Sequence, residues 1–247
     1  MKNNTFIRCA AGFLVSLSMV SMSAAASDTI TEISETNQLE QLNIEGMALV
    51  QDLFLGKATP VIEDNFLTFD NNFPAVVAAS SDEQYRVIED VRVIGNIGGQ
   101  DIFQATYGVM RREDQDNFYG TCAFLRSQYR ELDDTSDIKY YKVDMMSAGS
   151  IDISGTSLIQ DMRFGIHSMG DAKKSVNSPS IQNIYNQYSS RTPVVDNGYF
   201  YNMWNTDEYF YAATGIEGSV VSMEYKTSTS GSKYNMISMK FGMSDIA

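Results

Sequence analysis

Tyr85-Arg86-Val87-Ile88-Glu89-Asp90-Val91-Arg92-Val93-Ile94-Gly95-Asn96-Ile97-Gly98-Gly99-Gln100-Asp101-Ile102-Phe103-Gln104-Ala105-Thr106-Tyr107-Gly108-Val109-Met110 is the stretch whose reading decides the fold. Two runs rich in Val, Ile, Phe, Tyr and Thr, Tyr85 to Ile94 and Ile102 to Met110, flank a glycine-rich centre. Branched and aromatic side chains fit a pleated, half-buried surface, and Gly and Asn supply the turn, so the stretch predicts an antiparallel hairpin. Gly95 to Gly99 resembles a phosphate loop only superficially: a strand follows it, and no helix N-terminus is there to hold a phosphate.

The same texture continues to the C-terminus. Val220 to Tyr225 and Tyr234 to Phe241 flank Ser228-Thr229-Ser230-Gly231-Ser232 and predict a second hairpin. Further strands are expected near Thr121 to Tyr129, Ile138 to Met146, Leu158 to Ile166, Tyr199 to Trp204 and Glu208 to Ala213. Ser178-Pro179 followed by Ile181, Ile184, Tyr185 and Tyr188 at helical spacing predicts one helix inserted near 179–189.

Upstream, Asn37 with Glu40 three residues on reads as an N-cap. Leu39, Leu42, Leu49 and Leu53 then form an apolar stripe, and Gly56 supplies the stop. This helix should lie against a sheet. Thr59-Pro60 suggests a second, short helix to about Phe66. No fixed-period repeat is visible, which argues against propellers and solenoids. The expected fold is mainly β (or α+β), with roughly eight to ten strands: an antiparallel sandwich, or a strongly curved sheet or barrel, with an N-terminal helix. The expected division is a signal peptide at 1–26, a tail at 27–35 and one domain at 36–247.

The signal peptide rests on Lys2 and Arg8, the apolar run from Ala10 to Val20 and Ala24-Ala25-Ala26 before Ser27. Those are the basic, hydrophobic and small-residue parts read by the export machinery, and the run is too short to span a bilayer. Periplasmic or secreted localisation after cleavage near Ala26 follows. Cys9 precedes the apolar run and no Arg-Arg pair is present there, which argues against lipidation and twin-Arg export. Cleavage removes Cys9 and leaves Cys122 alone, so no intramolecular disulfide is available, and its apolar setting predicts a buried thiol.

The formal net charge is -13, and cleavage makes it two charges more negative. The densest basic pairs are Arg111-Arg112 and Lys173-Lys174, too few to displace nucleic-acid counterions. No membrane-spanning helix is expected. One histidine and one remaining cysteine cannot build the usual zinc sites, and no G-x-S-x-G elbow supports a nucleophilic serine. No cofactor, metal site or catalytic residue is therefore assigned. Glu113-Asp114-Gln115-Asp116-Asn117 and Asp133-Asp134-Thr135-Ser136-Asp137 lack EF-hand spacing and read as solvated loops.

Two candidate sites remain. The stretch from Tyr199 to Tyr211 holds seven aromatics and the only tryptophan. Tyr199, Tyr201, Trp204, Tyr209 and Tyr211 are candidate ligand-binding residues, since exposed aromatics stack on sugar rings while nearby Asn and Asp bond hydroxyls. Cross-strand packing is the competing explanation. The second candidate is a polar strand face: Asp161, Arg163 and His167 share one parity, opposite Met162, Phe164 and Ile166. It suits an anion site in a cleft or an exposed ion pair on a solvated face. The expected function is an exported, non-catalytic binding or scaffold domain, partnered by a saccharide or another envelope protein. The alternatives are a small outer-membrane β-barrel and an exported hydrolase using carboxylates.

Overall fold

A computed structural model describes residues 34–63, 67–72, 85–111, 122–133, 138–151, 159–195, 198–227 and 234–242. One helix, α1 (Glu35–Phe54), precedes β1 (Leu67–Asn72), β2 (Tyr85–Ile97), β3 (Gln100–Arg111), β4 (Cys122–Asp133) and β5 (Lys139–Ser150). There follow β6 (Ile159–Lys173), β7 (Ile181–Val195), β8 (Phe200–Trp204), β9 (Phe210–Ala212), β10 (Gly218–Thr227) and β11 (Asn235–Gly242). The strands form one antiparallel sheet in the order β1-β11-β10-β6-β9-β5-β4-β3-β2, with β7 on β6 and β8 on β5. Both predicted hairpins are present, as β2–β3 and β10–β11.

The sheet curves because one stretch of chain changes neighbours. β8 runs along β5, from Phe200 opposite Gly149 to Trp204 opposite Met145. β9 continues on that strand at Tyr141 while also meeting β6 at Ala172 and Lys173, and β10 then follows β6 from Met169 back to Ile159. This shared strand brings the inner face of β2–β5 over that of β6, β10 and β11. Strand alternation delivers Tyr107, Leu125, Tyr129, Tyr141 and Val143 from the first group and Met162, Phe164, Ile166, Val221, Met223, Ile237 and Phe241 from the second into one core. Tyr129 meets the ring of Phe241 edge-on at 4.7 Å. The fold is thus a strongly curved, nearly closed antiparallel sheet with an N-terminal helix.

α1 covers the outer face of β2–β5. Val50 and Leu53 are fully buried and Phe54 nearly so, in a cluster with Ile88, Met110 and Phe124. Phe54 occupies the space above Gly108, where a Cβ would come within 2.2 Å of its ring. Burying each such side chain stabilises docking by roughly 1.5–3 kcal/mol. The helix starts three residues earlier than an Asn37 cap predicts: Ser34 is the N-cap, accepting the Asn37 N–H at 3.3 Å, so the expected tail ends in helix. Gly56 ends it as expected, at φ +70°, with Lys57 N–H bonding Asp52 O and Gly56 N–H bonding Leu53 O.

Two predicted helices are absent. From Thr59 to Glu63 the chain runs extended beside β2, held by the Val61 N–H on the Asp90 carboxylate and Val91 N–H on Val61 O. Those groups lie about thirty residues away in sequence and outweigh the local Thr-Pro signal, and the segment shields part of an open sheet edge; residues 64–66 lie outside the described residues. The helix expected near 179–189 is instead β7, paired with β6 from Ile159 opposite Val195 to Ala172 opposite Ile181. Ser178, read as a helix cap, closes a turn by accepting the N–H groups of Lys174 and Ser175. The free edge of β6 offered backbone partners that an isolated amphipathic turn did not, and Ile, Tyr, Asn and Gln accept a strand readily in that context. Tyr185 on this strand is 61% exposed. The signal peptide, the Cys122 side chain, residues 113–117 and residues 134–137 lie outside the described residues, while Asp133 ends β4.

Candidate functional site

β6 turns Met162, Phe164 and Ile166 into the core, which points Arg163, Gly165 and His167 outward. Pairing adds two flanking rows. β10 places Glu224 opposite Arg163, Ser222 opposite Gly165 and Val220 opposite His167. β7 places Arg191, Ser189 and Gln187 opposite the same three residues. Between the longer side chains, Gly165 and its two serine neighbours leave a solvent-open groove of about 450 Å³ lined by Arg163, His167, Gln187, Arg191, Ser222 and Glu224 among others. Gly165 itself is dictated by the close approach of β7, since a Cβ there would lie 2.5 Å from Tyr188 O.

One end of the groove is charged. Asp161 sits at the register shift between β6 and β10, with φ +52°. From there its carboxylate accepts Arg191 Nε at 2.6 Å and the Tyr234 hydroxyl. The Arg163 guanidinium lies over the Tyr234 ring at 4.7 Å, and its nearest carboxylate oxygen, on Glu224, is 3.8 Å away. That separation is an ion pair without a hydrogen bond. At the other end the His167 ring lies 5.0 Å from the Tyr185 ring, and its Nε2 is buried without a partner. No hydrogen bond to the His167 side chain occurs among the described residues.

The Arg191 hydrogen bond, followed by that of Tyr234, holds the Asp161 carboxyl down to about 2. A carboxyl with its folded pKa below its unfolded value contributes stability above the unfolded pKa and loses it as pH falls toward the folded one. Carbon-detected NMR titration should therefore place the Asp161 midpoint at about 2, and Arg191→Gln should return it toward the ordinary aspartate range. An ordinary midpoint in the unaltered protein would mean that the Arg191 contact does not persist in solution.

The predicted polar strand face is thus assembled as one surface, although Asp161 reaches it through a bulge. The five candidate aromatics are not. Tyr211 is 1% exposed and hydrogen-bonds the Asp207 carboxylate; burial, then that bond, pushes its hydroxyl well above the usual range. Trp204 packs with Leu39, Ile97 and Ile102 beneath α1, while Tyr201 packs with Phe164 in the core and accepts a hydrogen bond from Thr192. Lys174 Nζ lies over the Tyr209 ring at 5.2 Å, and Tyr199 is 40% exposed. Alternation and the change of strand partner send them to separate places, so they form no common platform.

Arg191, Gln187 and Ser189 were missed because their segment carried helical spacing. Ser222 and Glu224 were visible as the polar positions alternating with Val221, Met223 and Tyr225. Compared with protein-family models, with curated proteins and with solved structures, the chain matches none.

Proposed function

We propose that this chain is an exported, non-catalytic binding domain and that its ligand, a saccharide, lies in the groove across β10, β6 and β7. The observation that carries the reading is a solvent-open groove lined by the Ser189 and Ser222 hydroxyls, the Gln187 amide and the Arg163 guanidinium, which makes no hydrogen bond among the described residues. Hydroxyls on a ligand match such a lining, and the volume is that of a small-ligand site. Export rests on the N-terminal sequence alone.

Two features favour binding over hydrolysis. A glycosidase acid needs a raised pKa, whereas the Asp161 carboxyl is pulled down to about 2. A histidine base is oriented by a hydrogen bond on its other nitrogen, and among the described residues His167 has none. The outer-membrane alternative fits poorly with an apolar interior and with Arg163, His167, Gln187 and Arg191 facing outward, the inverse of a lipid-facing barrel. Among the described residues no helix is long and apolar enough to cross a membrane.

The test is a panel of immobilised neutral and acidic oligosaccharides probed with the purified protein and with Ser222→Trp, which fills the groove from a half-buried position. Retention of at least one saccharide, weakened about tenfold or more by Ser222→Trp, is the expected result. No retention, or unchanged retention by the filled variant, overturns the assignment.

A further inference from the structure

We infer that the groove selects an acidic saccharide, with a sugar carboxylate at Arg163 and sugar hydroxyls on Ser189, Ser222 and Gln187; this rests on the binding reading above and narrows its ligand. The inference comes from asking which polar groups in the groove still have unused hydrogen-bonding capacity. Arg191 has spent its Nε on Asp161. Arg163 has not: among the described residues its guanidinium stacks on Tyr234 and makes no hydrogen bond, with Glu224 at 3.8 Å. A stacked guanidinium keeps its planar fork free, and that fork matches the two oxygens of a carboxylate.

The neighbouring carboxylate decides which anion is suitable. Glu224 lies close enough to repel a doubly charged phosphate while offsetting only part of the Arg163 charge, so a single carboxylate is the better match. Away from Arg163 the lining becomes neutral. Ser222 and Ser189 present hydroxyls, and Gln187 accepts the Tyr185 hydroxyl and keeps its amide N–H donors. These groups suit a polyhydroxylated body far better than an apolar one. Tyr185, 61% exposed beside His167, adds a flat ring face at that end. Gln187 lies opposite His167, four residues along β6 from Arg163 and so about 13 Å away, and a carboxylate at one end with hydroxyls at the other belongs to a ligand longer than one sugar ring.

Calorimetry with trigalacturonate and its methyl ester separates charge from sugar, because the two probes share every hydroxyl and differ in charge. The unaltered protein should bind the free acid about tenfold or more tightly than the ester, and the preference should shrink as salt rises. Arg163→Gln should abolish the preference, so that acid and ester bind alike, with an unaltered melting temperature confirming that this half-exposed residue is not needed for folding. Equal binding of acid and ester, or a preference that survives in Arg163→Gln, overturns the carboxylate assignment and leaves saccharide binding standing. If neither probe binds while other saccharides do, the acidic inference alone fails; if no saccharide binds at all, both readings fail.

Discussion

Arg130→Ala should lower the unfolding free energy by about 3–5 kcal/mol at neutral pH, because it strands a buried carboxylate. Asp144 is 4% exposed beneath the N-terminal end of α1, and Arg130 grips it with two bonds, Nη2 to Oδ1 at 2.7 Å and Nε to Oδ2 at 2.9 Å. A third bond, from Nη1 to Glu35 at 2.8 Å, ties the same guanidinium to the first turn of the helix. Lys142, at 3.8 Å, forms an ion pair without a hydrogen bond and offsets only part of the loss. Burial already holds the Asp144 carboxyl above its ordinary range even with Arg130 present. Removing the arginine raises it further.

The sign with pH follows from that direction. A carboxyl with its folded pKa above its unfolded value costs stability as pH rises through the interval between them. The deficit of Arg130→Ala should therefore shrink as pH falls toward 4 and Asp144 becomes neutral. Urea unfolding at pH 7 and near pH 4 reads both the size and the trend, and Asp144→Asn in the Arg130→Ala background should recover more than half of the loss. A deficit under about 1 kcal/mol, or one independent of pH, would show that the pair is solvated rather than buried.

Gly46→Leu should loosen α1 from the sheet at a cost of about 3 kcal/mol, and Gly46→Ala should cost about 2 kcal/mol, the usual scale of overpacking. Helix propensity alone predicts the opposite, since alanine inside a helix is favoured over glycine by about 1 kcal/mol. Space decides. A Cβ at Gly46 would lie 2.0 Å from Gln104 Oε1 and 2.3 Å from Arg126 Nη2. Neither group can easily withdraw, because Arg126 is fully buried and bonds Gln104 at 2.7 Å, Asn43 at 2.6 Å and Ser147 at 3.4 Å.

No carboxylate hydrogen-bonds Arg126 among the described residues, and burial pulls its guanidinium down to about 9. Its surroundings already hold the charge at a cost, so a displaced Arg126 has no better place nearby. Hydrogen exchange provides the specific readout. Amides of α1 should lose protection in Gly46→Leu while those of β10 and β11, on the opposite half of the fold, keep theirs. A Gly46→Ala protein more stable than the original would mean that the helix sits farther from the sheet than described.

The legible parts of the fold were those with a local cause. Val, Ile, Tyr and Thr alternating with polar residues marked β2, β3, β10 and β11, and Gly56 marked the helix end through its backbone conformation. β7 failed because Ile181, Ile184, Tyr185 and Tyr188 follow helical spacing while in a strand they divide between its two faces, and the choice lay with β6, whose open edge needed a partner. The segment at Thr59 failed for the same kind of reason, its partners being Asp90 and Val91. β1 carried too little alternation to be noticed, and its pairing with β11 joins opposite ends of the chain.

The sequence by itself determined an antiparallel, β-rich domain with a helix ahead of it, the opening and closing hairpins, and the shared face of Arg163 and His167, because side-chain alternation is a property of the strand alone. Tertiary structure decided everything that depends on which strand lies beside which. It placed Arg191, Gln187 and Ser189 on one flank of that face and Ser222 and Glu224 on the other, and converted a row of residues into a groove. It also dispersed the aromatic segment that composition had made conspicuous, since β8, β9 and β10 successively change partners along one stretch of chain. Alternation specifies which residues share a face; only long-range pairing specifies what those residues meet.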